Sequence, residues 1–407
     1  METLKFLNIT MNYPPAHFGG DARFVEYLSN ELVRAGHEVH VFHNPSVFEL
    51  LRKEKVANLE ETTQAGVHRH VYRAKMPTLD ALLALNFGNT NSSRNQLEQL
   101  LNEVRPEVVH WHNTKGFFGK PLPVKSPVAL YTAHDYFAVC PRSALLRPGY
   151  RICRKPFLCQ MCLLRWRKPS QLWRIGSRRT LQFPEGTAII SPSTFLAGVL
   201  ERDGIKVDHI LRSFVPDTRE LVGERKPGKS LLYFGLLEKQ KGVPTLLEAF
   251  DRSRKDHDFD LWIVGEGSLK DRIRSKIDEL RLSDRVKVPG FTPLERIAPI
   301  LRESAAVVVP SENYENAPLA VLEAFSSGVP VIGSDIGGLP EILGPESGSR
   351  VFPPGDVNQL AEIMRDLWDQ RGNLMELGRL ARTTYERDFH PSVHLKKYMR
   401  IVSQGTS

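Results

Sequence analysis

The strongest constraint on this chain is a pattern that occurs twice: short apolar runs separated by helix-length amphipathic stretches. In the first half Phe6-Leu7-Asn8-Ile9 reads as a buried strand, followed by a loop containing Pro14, Pro15, Gly19 and Gly20. Asp21 is placed to cap a helix whose apolar face carries Phe24, Val25, Leu28 and Leu32, and Gly36 ends that helix. Further strands are expected at Val39 to Phe42, Val108 to Trp111, Val128 to Tyr131 and Ala188 to Ile190. The pattern restarts at Leu231 to Phe234 and continues through Leu261 to Val264, Val286 to Val288, Ala306 to Val309 and Val329 to Ile332. Strands alternating with helices predict a parallel sheet covered on both faces. At 407 residues the chain is long enough for two such cores. The expected boundary is a connector at Phe214-Val215-Pro216-Asp217. It separates an amino-terminal α/β domain over residues 1–210 from a carboxy-terminal one over 211–387. Doubly wound domains bind ligands outside the carboxyl ends of their strands, so a cleft between two of them is the expected site.

Charge is distributed unevenly. The net charge is +8, yet from Tyr136 to Pro184 there are eleven Lys or Arg residues and no Asp or Glu. This basic module (136–184) sits on a remainder carrying −3. Such a module attracts phosphate, nucleic acid or an anionic membrane face. Its run Arg165-Trp166-Arg167-Lys168 through Trp173-Arg174 to Arg178-Arg179 sets tryptophan beside arginine, the composition of a membrane interface. No apolar run reaches the length of a membrane span. The start has no basic segment followed by a long apolar one, so the expectation is a cytoplasmic protein, peripheral at the inner membrane face.

All four cysteines, Cys140, Cys153, Cys159 and Cys162, lie in the same module. Their spacing Cys-x12-Cys-x5-Cys-x2-Cys has one tight knuckle and two longer legs that can wrap a tetrahedral metal. A structural zinc is favoured here over an iron–sulfur cluster, disulfides or four separate thiols.

The chemistry is concentrated between Glu315 and Glu323. Pro318 suits the first turn of a helix continued by Leu319, Val321, Leu322, Ala324 and Phe325. Glu315 then lies in the loop at the positive helix end, Glu323 within the helix, and the free backbone N–H groups between them form an anion cradle in the stretch Ala317, Pro318 (itself without an N–H) and Leu319. A diphosphate with a sugar at each end fits that arrangement.

In this light the chain resembles the retaining glycosyltransferases of family 4, of GT-B fold, with two Rossmann-like domains facing across a cleft. The resemblance is carried by Pro14-Pro15 with Gly19-Gly20, Gly36-His37-Glu38-Val39, Phe234-Gly235 through Lys241-Gly242 and Gly265-Glu266-Gly267. Pro310-Ser311, the two glutamates, Gly328 to Val331 and Gly337-Gly338-Leu339-Pro340-Glu341 follow in family order. It implies that Glu315 binds donor-sugar hydroxyls, that Glu323 binds the ribose, that Gly235 and Gly265 line the donor site, and that Lys241 neutralises the departing diphosphate. It implies that His134 touches the transferred sugar and that the Gly19-Gly20 loop serves the acceptor. The segment 388–407 is expected to return to the first domain, as in similar proteins. Leu236 departs from the pattern, because the family places an arginine there and leucine cannot make a bidentate phosphate contact; nearby Lys239 is the candidate substitute.

The implied activity is transfer of a sugar from a nucleotide-sugar to a glycan or lipid-linked acceptor, in polysaccharide or glycolipid synthesis. A nucleotide-sugar epimerase or hydrolase on the same architecture is one rival. A metal-stapled basic nucleic-acid binder is another, and the paired glutamates count against it. Gly265-Glu266-Gly267 lacks the third glycine of a dinucleotide motif, since Lys270 stands there. Asp258-Phe259-Asp260 mimics a metal-binding Asp-x-Asp but precedes a buried strand, so no catalytic metal is expected. His110 and His112 alternate along a strand, and at least one is expected to point inward.

Overall fold

A computed structural model describes residues 2–17, 19–46, 48–49, 55–56, 59, 63, 65–153, 158–175, 180–226 and 228–405. The chain divides into two compact units, Met1–Arg212 with His394–Ser407, and Ser213–Val393.

Unit 1 contains β1 (Lys5–Thr10), β2 (Glu38–His43), β3 (His68–Val71), β4 (Val108–Trp111) and β5 (Val128–Thr132). A two-stranded antiparallel hairpin, β6 (Leu146–Arg147) and β7 (Arg151–Ile152), precedes β8 (Thr187–Ser191) and β9 (His209–Ile210). The main sheet has the order β3-β2-β1-β4-β5-β8-β9 and is parallel throughout. Strands β1, β2 and β4 are buried almost throughout, as expected where both faces are covered, while the edge strand β3 is not. The Gly20–Arg34 helix buries Phe24, Val25, Leu28 and Leu32 as the periodicity predicts. The expected cap does not form: Gly19 occupies that position without a side-chain bond, and Asp21 instead accepts from Asn113 Nδ2 at 2.9 Å.

Unit 2 contains β10 (Ser230–Phe234), β11 (Asp260–Val264), β12 (Val286–Gly290), β13 (Ser304–Val309), β14 (Val331–Ser334) and β15 (Arg350–Phe352). Their order is β12-β11-β10-β13-β14-β15, again all parallel. Leu231, Leu246, Phe250, Leu261, Ile263 and Val308 are among the fully buried residues of its core.

The strand order reverses direction between β1 and β4 in unit 1, and between β10 and β13 in unit 2. At such a switch point the two adjacent loops leave in opposite directions, opening a crevice at the carboxyl edge of the sheet. The helix Pro391–Gly405 carries the chain back to unit 1, where Tyr398 is fully buried and bonds through its hydroxyl to His110 Nδ1 at 3.0 Å. Among the described residues no helix is long and apolar enough to cross a membrane.

Candidate functional site

At the unit 2 switch point, β10 ends in the loop Gly235–Gly242 and β13 ends in Pro310-Ser311. The two loops are locked together. Gly242 adopts a left-handed conformation (φ 69°) and lies so close to the other loop that a Cβ would stand 1.8 Å from the Pro310 carbonyl. Glu312 N donates to Gln240 O at 2.9 Å, and Thr245 Oγ1 donates to Glu312 Oε1 at 2.5 Å. This packing brings Lys241 to Glu315, with Nζ to Oε1 at 2.6 Å and both side chains partly open. Ser311 Oγ donates to the same carboxylate oxygen at 2.7 Å.

The backbone of Glu315 is fixed by the glycine pair after β14. Gly338 N donates to Glu315 O at 2.6 Å, and a Cβ on Gly337 (φ 66°) would come within 2.3 Å of that oxygen. The helix begins one residue later than the sequence suggests: Pro318 is the cap and Leu319–Ser326 the helix. Val321 N donates to Pro318 O at 3.0 Å, while Leu319 and Ala320 have no carbonyl one helical turn back to bind. Ala317 and Pro318 are half-buried there, and Glu323 is 2% exposed, inside the helix. Gly235 N bonds to Val264 O and Gly265 N to Gly290 O, which places both glycines at the same carboxyl edge. Leu236 is half exposed; its carbonyl, not its side chain, is engaged, accepting from Tyr233 OH at 2.7 Å. Lys239 is exposed on the same loop.

The decoys are accounted for as well. Asp258 and Asp260 lie at the opposite, amino-terminal end of β11, paired with Lys229 at 3.7 Å and Arg285 at 3.3 Å. Glu266 is held by Lys270 at 2.6 Å.

At the unit 1 switch point, histidines form a chain. His110 Nε2 shares a hydrogen bond with Thr132 Oγ1 at 2.8 Å, the His110 and His112 rings lie 4.0 Å apart, and His112 Nδ1 bonds His134 Nε2 at 2.9 Å. Both His110 and His112 are buried, and burial pushes each well below the ordinary histidine range. Burial likewise holds His134 down to about 4, so its imidazole is neutral at physiological pH. Gly19 (φ 80°) and Gly20 lie exposed at the start of the first helix.

A polar cluster that the sequence reading missed sits beside them. Asn113 Nδ2 donates to Asp21 Oδ2, with a longer contact of 3.4 Å to Asp135 Oδ2. Burial raises Asp135 to about 6, opposed by the charge of Lys115. Burial also lowers Lys115, whose Nζ reaches Ser143 Oγ at 3.3 Å. The available signal was position: Asn113 and Lys115 directly follow β4, and Asp135 follows His134.

The basic module needs correction. Arg174 is 4% exposed, donates to Phe137 O at 2.6 Å and stacks on Phe137 and Trp173. Burial pulls its guanidinium down to about 10. Trp173 Nε1 donates to Leu85 O at 3.0 Å, and Arg142 stacks 3.5 Å from the Trp166 ring. These groups hold the module together and are not offered to a membrane, while Arg178 and Arg179 lie outside the described residues. The four cysteines are not in disulfides and line one cavity. Among the described residues, no three or more His, Cys, Asp or Glu side chains converge on a metal position.

The family described as glycosyl transferases group 1 matches residues 215–384, and that described as Glycosyltransferase Family 4 matches residues 18–211. The chain is 26% identical to a glycogen synthase of Mycobacterium tuberculosis, over 95% of this chain and 91% of the other. Among solved structures, it superposes on a sucrose-phosphate synthase of Thermosynechococcus elongatus with TM-score 0.73 at 19% identity, covering 98% of both chains. The Anabaena protein HepE, solved in complex with UDP-glucose, gives TM-score 0.67 at 15% identity, over 98% of this chain and 100% of that one. These neighbours share the GT-B fold of two parallel-sheet domains.

Proposed function

Because the chain belongs to the group 1 glycosyltransferases, with an amino-terminal half of family 4, we propose that it moves a sugar from a nucleotide-sugar to a glycan or lipid-linked acceptor, with retention of anomeric configuration. The observation that carries this reading is the Lys241–Glu315 pair at the start of the Leu319–Ser326 helix. A diphosphate fits there because the first-turn N–H groups ahead of Val321 lack a partner one helical turn back and give the helix end its positive character. Glu315 accepts hydrogen bonds from donor-sugar hydroxyls, and Glu323 serves the ribose. Once hydroxyls occupy Glu315, the Lys241 ammonium is available to the leaving diphosphate. Charge develops on those oxygens as the glycosidic bond breaks, so a donor aimed at them stabilises the transition state more than the ground state.

Retention follows from attack on the face the diphosphate leaves. The acceptor hydroxyl oxygen forms the new bond to the anomeric carbon, the old carbon–oxygen bond breaks, and a phosphate oxygen takes the hydroxyl proton. No metal is needed in this scheme, since Lys241 and the helix end carry the charge. On this reading neutral His134, whose Nε2 shares a hydrogen bond with His112 Nδ1 at 2.9 Å, contacts the transferred sugar without titrating. The Asn113, Asp21 and Asp135 cluster, next to the Gly19-Gly20 loop, supplies acceptors for a polyhydroxylated substrate. HepE, solved with UDP-glucose, and the glycogen synthase relative support a nucleotide-activated hexose and a glycan product.

We also propose a cytoplasmic location, peripheral at an anionic membrane face. The support comes from the Pro77–Phe87 helix, rich in leucine and with Asp80 as its one charged residue, of which only Ala84 is buried. Met76 is 61% and Phe87 60% exposed, with Leu79, Leu82 and Leu83 exposed between them. The basic module packs beside this helix through Trp173, and its Arg165, Arg167 and Lys168 are exposed. Apolar anchors flanked by cations suit an anionic bilayer.

A thermal-shift panel of UDP-, GDP- and ADP-sugars is the direct test. One class should raise the melting temperature, and Glu315→Ala and Lys241→Ala should abolish that response. Product analysis with donor alone distinguishes the rival: rapid release of free sugar or an epimer, unaffected by acceptor, would replace the transferase reading with a hydrolase or epimerase.

A further inference from the structure

The basic module is too small to hold itself together by apolar burial. Among the described residues between Cys140 and Cys162, the buried apolar side chains are Pro141, Leu145 and Leu146, with Leu163 just beyond. Segments of this size generally require a covalent or metal staple. The four cysteines stand where one would act. Cys140 precedes the β6–β7 hairpin and Cys153 follows it, with Cys153 N bonded to Leu145 O at 2.6 Å. Cys159 and Cys162 lie three residues apart in the Cys159–Arg165 helix, hence on one face. All four line a single cavity of about 260 Å³.

We propose that these four thiols bind one zinc ion, tying the hairpin to the helix. The proposal is independent of the transferase reading. Zinc–sulfur bonds of about 2.3 Å set the sulfurs of a tetrahedron about 3.8 Å apart. The thiols share a cavity, but among the described residues no three or more ligand side chains are already placed to hold a metal. Binding therefore contracts the cavity, turning cysteines that belong to separate local elements toward one centre. Four thiols lose four protons to solvent, and the resulting zinc tetrathiolate carries two negative charges. The surroundings suit that charge. Arg142, Arg147 and Arg165 line the same cavity, and Arg147 hydrogen-bonds Cys153. No acid occurs between Tyr136 and Pro184 to oppose it. A disulfide pairing would leave this positive ring without a counter-charge.

The test is metal analysis of the full-length protein purified under reducing conditions without chelator. One zinc per chain is expected, released by a mercurial thiol reagent in step with four thiols, and lost in the Cys159→Ser/Cys162→Ser double variant. Cobalt(II) added to chelator-treated wild type should give the sulfur-to-cobalt charge transfer and the intense visible bands of a tetrahedral tetrathiolate. That measurement needs no variant, so poor folding of the double variant does not blunt it. Four freely reactive thiols with no metal, a disulfide under the same conditions, iron with acid-labile sulfide, or zinc retained in the double variant would each overturn the proposal.

Discussion

Lys241 and Glu315, 74 residues apart in sequence, meet at 2.6 Å, and Ser311 shares the same carboxylate oxygen at 2.7 Å. Two groups proposed for opposite ends of a sugar-phosphate thus hold each other in position. Removing either should cost transition-state stabilisation: Lys241→Met and Glu315→Gln are each expected to lower kcat by about 10²–10³. Because the two act as a unit, the double variant should lose much less than the product of the single losses. Steady-state kinetics on the four proteins checks this; fully multiplicative losses would show that the contact has no part in turnover.

Leu236 offers the converse experiment. Its side chain is half exposed and only its backbone carbonyl is engaged, so replacing the side chain disturbs no core. Leu236→Arg should add a charge-assisted contact to the donor diphosphate, worth roughly 1.5–3 kcal/mol, or about a 10- to 100-fold gain in nucleoside-diphosphate affinity. Isothermal titration with the responding nucleotide measures it. An unchanged affinity would place the diphosphate elsewhere than beside this loop.

These two positions show where sequence reading succeeds and where it stops. Leu236 was legible because a loop motif is local: it follows a strand and a glycine, and the departure is visible in one line. The helix after Pro318 and the strands at Leu231 and Leu261 were legible for the same reason, since apolar periodicity and proline act within a few residues. The contact of Lys241 with Glu315 was not, because it depends on the register of β10 against β13 and on close approach at Gly242. Arg174 misled most. Its composition said surface, yet a guanidinium stacked on two aromatic rings and bonded to a carbonyl can be buried. Asp21 misled differently: it lies inside the first turn, Gly19 takes the cap position, and the carboxylate also accepts from the distant Asn113.

The exposed apolar helix gives a prediction about membranes. Leu83→Asp with Phe87→Asp should reduce co-flotation with vesicles containing anionic lipid at least tenfold, while leaving the donor-induced thermal shift intact. The two side chains are exposed, so the substitutions leave the core untouched. Binding of the wild type should weaken as salt rises, given the neighbouring cations. Equal flotation of variant and wild type would remove this helix from the membrane contact.

The histidine chain makes unit 1 sensitive to acid, and the sign can be worked out. His134 and His394 are each held down from 6.5 to about 4 by burial, and His110 and His112 are lowered as well. Above pH 6.5 the folded and unfolded forms are both neutral, and the full stability is present. As pH falls from 6.5 toward 4, the unfolded chain takes up protons that the native state refuses, so stability declines. A shift of this size corresponds to about 3 kcal/mol for a single histidine. Asp135, raised from 3.8 to about 6, acts oppositely, because the native state keeps a proton that the unfolded chain loses; Asp21 and Glu26 are raised too. The carboxyls offset part of the loss, but four histidines, two of them lowered well below the usual range, outweigh them. Unfolding midpoints in urea should therefore fall between pH 6.5 and 4.5. His394 bonds Arg212 O at 2.8 Å, a contact that an asparagine amide can replace. His394→Asn should thus reduce the slope of stability against pH by about one proton over that range. A variant that tracks the wild-type slope would show that this buried ring does not govern the acid response.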